Sequence, residues 1–211
     1  MSKDHPHSAT KSLVNRHDYI PAAGLDVFLP GYDLLTRMLG MRPVYDEFVA
    51  KVELFDGVRV LEIGCGTGNI TQRLKRAEPG AQVTGVDPDP RALARAGRKL
   101  RTAAGISFDR GYAQELPYAD GSFDRVLSSM MLHHLDDDVK AAAVAEVLRV
   151  LRPGGSMHIV DVVGPHGASA HDGTVIPALL RTSGFEDVTE FGSRRLRLFG
   201  QVRFYRGIRP L

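Results

Sequence analysis

Val60-Leu61-Glu62-Ile63-Gly64-Cys65-Gly66-Thr67-Gly68-Asn69 is the stretch that decides the fold. An apolar, β-branched run enters three glycines at alternate positions. Glycine there lets the backbone turn tightly and approach a ligand closely. Asn69–Ala77 then reads as a short helix, so the segment is a strand, a loop and a helix, the opening of a βαβ unit. The pattern is E-x-G-x-G-x-G. The dinucleotide fingerprint G-x-G-x-x-G fails from either start: Gly64 leads to Asn69, and Gly66 leads to Thr71. No Gly-Lys-Ser/Thr follows, so it is not a P-loop. The plain alternative is a tight turn that binds nothing.

Downstream, the alternation continues. Val58–Ile63 is the first strand and Gln82–Asp87 the second. Pro90–Leu100 is a helix with proline near its start. Ile106–Asp109 and Phe123–Ser128 are the third and fourth strands. Val144, Val147, Leu148 and Leu151 follow the i, i+3, i+4, i+7 rule behind Asp136-Asp137-Asp138, a solvated helix start. Pro153-Gly154-Gly155 is expected to end that helix before a fifth strand, Met157–Val163. A helix near Thr174–Ser183 and strand-like stretches Asp187–Phe191 and Gln201–Tyr205 close the chain. Such alternation predicts an α/β, doubly wound, mostly parallel sheet covered on both faces.

Upstream, residues 1–18 read as a mobile polar tail and residues 19–53 as an N-terminal helical cap, leaving 54–211 as the core. In the cap, Leu34, Leu35 and Met38 lie on one side of a possible helix that Gly40 ends. Pro43 suits a second helix start, with Val44, Phe48 and Val52 spaced to share a face. Tyr19, Tyr32 and Asp33 are candidates to line a pocket beneath it.

Composition narrows the class. The chain has 211 residues, 27 Lys plus Arg against 25 Asp plus Glu, and one cysteine, Cys65. The near-balance of charge gives no sign of a nucleic-acid binder. A lone cysteine excludes an internal disulfide and a Cys-rich metal site. Its plain reading is a small residue that fits the loop. No apolar run is long enough to span a membrane and the N-terminus lacks an apolar signal core, so the expectation is a soluble, cytoplasmic protein. No metal-ligand spacing is present. His158, His166 and His171 are not linked by one, and consecutive aspartates at 136–138 point different ways. Arg194, Arg195, Arg197, Arg203, Arg206 and Arg209 make the C-terminal region basic. That suits a solvated edge strand, or, as the alternative, contact with an anionic acceptor or membrane surface.

Two places carry the chemistry. Asp87 ends the second strand 19 residues after Gly68. A carboxylate there accepts both ribose hydroxyls; its other reading is a helix-start aspartate before Pro88-Asp89-Pro90. His133 and His134 follow the fourth strand, at the end where a doubly wound sheet binds ligands. One of them faces an acceptor as a base, or both simply pack the loop.

The glycine loop with Asp87, followed in order by Gly111–Tyr118, Asp120–Asp124, His133-His134-Leu135 and Leu151–Gly155, resembles the class I S-adenosylmethionine-dependent methyltransferases. The small-molecule branch that includes ubiquinone and menaquinone biosynthesis enzymes is the nearest in pattern. The resemblance implies a Rossmann-like seven-stranded sheet with one antiparallel strand near an edge, S-adenosyl-L-methionine as cofactor and S-adenosyl-L-homocysteine as product. It implies that Gly64, Gly66 and Gly68 bend under the methionine and ribose, and that Thr67 helps hold the loop. Glu62 would act through the loop and the methionine amine, Asp87 on the ribose, and the Ala113 backbone at the adenine edge. Ser129 would line the methionine portion. Tyr112 stands where the family usually has Asp or Asn for the adenine amine; a tyrosine stacks or offers its hydroxyl, and Asp109 is a second candidate. The implied reaction is in-line displacement, which needs an aligned acceptor, ~3 Å from the methyl group, more than a fixed triad. The acceptor is expected to be a small, apolar or aromatic molecule. The alternatives are a non-catalytic S-adenosylmethionine-binding regulator and an NAD-dependent oxidoreductase.

Overall fold

The computed structural model describes residues 40–164, 173–196 and 200–211. In chain order these form α1 (Met41–Ala50), β1 (Arg59–Ile63), α2 (Asn69–Ala77), β2 (Gln82–Asp87), α3 (Pro90–Lys99), β3 (Ile106–Arg110), β4 (Phe123–Ser129), α4 (Asp137–Val150), β5 (Leu151–Val163), α5 (Val175–Thr182), β6 (Glu186–Leu196) and β7 (Gly200–Ile208). One seven-stranded sheet has the order β3-β2-β1-β4-β5-β7-β6. Every neighbouring pair is parallel except those that β7 makes with β5 and β6. This is the expected mostly parallel sheet with one antiparallel strand beside the edge. The chain starts mid-sheet at β1, winds outward to β3, then crosses to β4 on the other flank of β1. That reversal opens a crevice at the C-terminal ends of β1 and β4, where doubly wound sheets bind ligands.

Alternation along the strands divides the core into two layers. Leu61, Ile63, Val126, Met157, Ile159 and Tyr205 face α4 and α5, meeting Val144, Val147, Ile176 and Leu180. Val60, Val83, Leu127, Val160, Val202 and Phe204 face the other way, toward Ile70 and Leu74 of α2. Successive side chains on a strand point to opposite faces, so a buried parallel sheet needs apolar residues at both parities.

Residues 41–52, assigned above to the cap, belong to this second layer. Met41, Val44, Phe48 and Val52 are each at most 2% exposed, and the Phe48 ring lies 6.2 Å from that of Phe204. The helix starts at Met41, with Pro43 in its first turn, where a missing N–H costs nothing. The rest of the expected cap and tail, including Tyr19, Tyr32 and Asp33, lies outside the described residues, as do His166 and His171.

Several boundaries differ from the sequence expectation. The helix that Pro153-Gly154-Gly155 was expected to end stops at Val150, and β5 begins at Leu151. The 3.6-residue pattern ran on because Leu151 is buried in the same layer as Val147 and Val150. Phe123 pairs with Leu151 but Arg125 with Ser156, so Arg152–Gly155 is looped out of the ladder. The C-terminal segment covers it, with Gly154 N–H donating to Arg209 at 3.0 Å and Arg209 N–H to Gly155 at 2.8 Å. Strands β6 and β7 are also longer than their apolar stretches. A ladder needs only backbone groups, and the polar outer residues conceal its length. The arginines there are partly paired: Arg194 with Glu47, Arg203 with Glu190 and Arg206 with Glu53. Among the described residues no helix is long and apolar enough to cross a membrane.

Because α1 is a core element, truncating its central anchor will cost as much as a deletion elsewhere in the core. Phe48→Ala is expected to destabilise the fold by about 3–5 kcal/mol. Arg42→Ala, on the exposed face of α1, will stay within about 0.5 kcal/mol. Urea unfolding of the two variants measures both.

Candidate active site

The glycine loop is a backbone device. Gly64, Gly66 and Gly68 have φ of 67°, 51° and 74°, the left-handed region that side chains disfavour. The carbonyl of Val86, near the end of β2, accepts from Gly64 N–H at 2.8 Å and Cys65 N–H at 3.1 Å. The loop is thereby stitched to the neighbouring strand. At Gly64 a Cβ would fall 2.4 Å from Cγ of Met131, so the side chain of the loop after β4 sits where that of position 64 would be. At Gly66 a side chain would meet nothing within 4 Å; this glycine presents bare backbone to the crevice.

Three carboxylates surround the loop, each tethered differently. Glu62 is 2% exposed and accepts from the Thr71 hydroxyl. Burial pushes its pKa up to about 8. It braces the start of α2 from beneath the loop. Asp87 accepts from Gly66 N–H at 2.8 Å through one oxygen and from Asp89 N–H at 2.9 Å through the other. Burial raises its pKa above the ordinary value, and these two amides pull it back. Asp89, not Asp87, caps α3, its side chain accepting from Arg91 N–H at 2.8 Å. Asp87 is thus not the cap of that helix; each oxygen, holding one amide, keeps acceptor capacity for a further donor. Asp109, at the end of β3, accepts from the Tyr118 hydroxyl at 2.9 Å. Cys65 is buried behind the loop, and its thiol pKa is pushed up by burial and then by the charges of Glu62 and Asp87. That fits a packing role rather than a nucleophile.

Thr67 is buried in the loop, and Asn69 Nδ2 lies 3.4 Å from its Oγ1. Tyr112 is 39% exposed and bridges backbone to Glu115. Ala113 packs on the α4-side layer. The loop carrying both is clamped by α4: Arg149 donates to the carbonyls of Tyr118 at 2.7 Å and Leu116 at 3.0 Å. Glu146 accepts from Leu116 N–H at 2.9 Å.

On the β4 side, Ser129 Oγ is buried and has no hydrogen-bond partner among the described residues. Met130 follows with φ 54°, a left-handed turn that ends the strand and starts a 3-10 turn at Leu132–His134. Leu132 is fully buried and anchors that turn. His133 is thereby brought to β5, where its Nδ1 meets Asp161 Oδ1 and its N–H donates to Asp161 Oδ2 at 3.1 Å. Asp161 is fully buried and also accepts from Val162 N–H at 2.8 Å. The His134 ring lies tilted against that of His133, with 3.9 Å between centroids. Partial burial of the ring, then the charge of His133, pushes the His134 pKa down to about 4. His158 lies inside the sheet instead, with Nε2 3.0 Å from Ser156 Oγ, and burial pushes its pKa down to about 3.

The expected residues lie in or just after β1 to β4, and the structure adds three that the sequence reading passed over: Thr71, Met131 and Asp161. Asp161 had a signal, an acid inside the apolar run Met157–Val163, where an unpartnered charge is costly. The bare backbone at Gly66, the remaining acceptor capacity of Asp87 and the orphaned Ser129 hydroxyl suit a nucleoside with ribose hydroxyls and a polar tail. Among the described residues no group of three or more His, Cys, Asp or Glu is placed to hold a metal.

Known proteins carry the same pattern. Residues 60–155 match the family described as a methyltransferase domain. An uncharacterized methyltransferase of Synechocystis sp. is 38% identical over 109 residues, covering 52% of this chain and 49% of that protein. A ubiquinone/menaquinone biosynthesis C-methyltransferase of Desulfotalea psychrophila is 34% identical over 143 residues, covering 66% of this chain and 57% of the relative. The chain spans about half the length of the curated relatives it matches. Among solved structures, a phosphoethanolamine N-methyltransferase of Haemonchus contortus, in complex with phosphomonomethylethanolamine and S-adenosylhomocysteine, has a TM-score of 0.76 at 17% identity. It covers 90% of this chain and 58% of that one. With the glycine loop, the strand order and these matches in agreement, the chain is similar to methyltransferase domains over residues 60–155 and shares the fold of a solved methyltransferase.

Proposed function

We propose that this protein transfers a methyl group from S-adenosylmethionine to a small-molecule acceptor, and that His133 takes a proton from that acceptor. The observation that carries the reading is the His133–Asp161 pair, just beyond the C-terminal end of β4, the strand that flanks β1. The cofactor supplies an activated methyl group; the protein must hold it, align the acceptor and manage one proton.

Asp87 and the Gly66 backbone hold the ribose end, while Ser129 and the chain above Gly64 line the methionine end. With Nδ1–H directed at Asp161, the Nε2 of His133 carries the lone pair, so the carboxylate fixes the tautomer that a base requires. The His133 side chain is 19% exposed, enough to meet a substrate from the crevice. A base is useful only where the acceptor loses a proton, as an aromatic hydroxyl or an activated ring carbon does. The names of the ubiquinone and menaquinone relatives point the same way, toward a phenol or quinol acceptor.

Two measurements test this reading. In calorimetry, Asp87→Ala is expected to weaken S-adenosylhomocysteine binding by about 1.5–3 kcal/mol, the range for a charge-assisted hydrogen bond. Wild-type binding of NADH without S-adenosylmethionine binding would defeat the cofactor assignment. For transfer to a panel of phenols and quinols, followed by release of S-adenosylhomocysteine, His133→Asn is expected to lower the rate by about 10²–10⁴-fold. Asp161→Asn will lower it at least about tenfold by freeing the wrong tautomer. Both variants should bind cofactor as wild type does, and full-rate transfer by His133→Asn would remove His133 from the mechanism.

A further inference from the structure

Charge is shared unevenly between the two sides of the sheet. Helix α2 carries Arg73, Lys75 and Arg76. Helix α3 carries Arg91, Arg95, Arg98 and Lys99. Neither helix holds an Asp or Glu, in a chain that has 25 of them. On the other side of the sheet, α4 opens with Asp137 and Asp138. Strands β1, β2 and β3 follow one another in parallel across the sheet, and right-handed crossovers put both connecting helices on one side of it. The two helices lie close together: Lys99 Nζ donates to Asn69 Oδ1 at 3.2 Å, and a Cβ on Gly68 would fall 3.2 Å from that of Ala96. They present one basic surface near the β3 edge, extended by Arg101 and Arg110, both exposed.

Helix energetics do not account for this surface. The helix dipole favours acids in the first turn and cations in the last. Lys75, Arg76, Arg98 and Lys99 stand in last turns, but neither first turn holds an acid, and Arg91 stands in that of α3. Ile70, Leu74, Ala92 and Ala96 are the buried side, so the cations are what the helices turn outward. Arg91, Arg95 and Arg98 recur at helical spacing and share one side of α3, with neighbours ~5–6 Å apart. Asp46 of α1 takes Arg73 at 2.7 Å. Lys75 instead donates to the carbonyls of Pro79 and Ala81, each at 2.6 Å, which leaves its charge uncancelled. Arg76, Arg98 and Arg101 are exposed.

We propose that the α2–α3 surface docks the protein on a membrane that contains anionic lipid. Each Lys or Arg brought to such a membrane contributes about fivefold to binding. Neither helix has an aromatic side chain, so the bases of a nucleic acid would find no stacking platform there. Ala77 and Ala94 are exposed among the cations and are small enough to let the longer arginines reach the headgroups. The basic C-terminal strands are the rival surface, but Arg194, Arg203 and Arg206 each have an acidic partner. Helix α3 starts at Pro90, just after Asp87, so the docking surface reaches the strand ends where the crevice lies. Docking needs neither cofactor nor acceptor, and it is tested on the protein alone.

The test is co-sedimentation of the full chain with vesicles of phosphatidylcholine alone, or of phosphatidylcholine and phosphatidylserine in equal parts. Wild type is expected to bind the phosphatidylserine vesicles at least about tenfold more tightly. It will lose that preference as salt rises from about 0.1 M to about 1 M and the screening length falls from ~10 Å to ~3 Å. The triple variant Arg76→Gln, Arg98→Gln, Arg101→Gln is expected to bind those vesicles about 100-fold more weakly. Arg98→Glu alone, a charge reversal, will weaken binding at least about tenfold and gives an independent reading should the triple variant unfold. Arg194→Gln with Arg195→Gln, on β6, will bind within about threefold of wild type. Wild type with no preference for phosphatidylserine, variants of α2 and α3 that bind as wild type does, or a loss confined to the β6 variant overturns the proposal. Tighter binding to a nucleic acid oligonucleotide than to the vesicles at the same salt overturns it as well, and makes nucleic acid the partner of this surface.

Discussion

The site depends on how the end of β2 grips the loop that follows β1. Val86 offers one carbonyl to two successive amides, Gly64 and Cys65, and Asp87 takes the amide of Gly66. These three bonds bind a loop of left-handed residues to a parallel strand already fixed by its ladder. A loop of glycines on its own pays heavily in conformational entropy. Stitched to β2, it becomes a rigid floor whose exposed face is backbone.

That floor also explains the placement of charge. Glu62, Asp87 and Asp109 lie near one another, and each is quieted by a different neighbour: a threonine hydroxyl, two backbone amides and a tyrosine hydroxyl. Burial pushes the pKa of Glu62, the most buried, up to about 8 and raises that of Asp87 as well. Glu62 serves α2 from below, while Asp87 and Asp109 each keep acceptor capacity beyond the bonds they already hold. The division of labour follows from depth alone, since the same chemical group is structural where water is excluded and available where it is not.

The wall opposite is built by β4, whose exit is sharp. Met130 takes a left-handed turn, Met131 folds over Gly64, and Leu132 pins the next turn into the core. This geometry leaves His133 little freedom. It reaches a carboxylate on the adjacent strand β5, buried inside an otherwise apolar run. A buried aspartate is costly unless it is hydrogen-bonded, and Asp161 holds the His133 ring, the His133 amide and the Val162 amide.

Much of this was legible in the chain itself. Local periodicity gave seven strands and the helices between them, because burial on two faces imposes its pattern residue by residue. The glycine spacing marked the loop, and the distance from Gly68 marked Asp87 as an acid at the end of the next strand, since one βαβ crossover has a nearly fixed length. What the sequence concealed came from contacts between residues far apart. Only the folded sheet sets Asp161 against His133, 28 residues away, and lays the Tyr118 hydroxyl on Asp109. Only packing shows that Val44, Phe48 and Val52 face β1 and β7 as part of the core rather than a flap: an apolar stripe states that a helix is buried, but not against what. Sequence by itself determined the elements and the chemistry available to them; tertiary structure decided which side chains meet, because parallel strand pairing aligns residues whose separation along the chain carries no periodic signal.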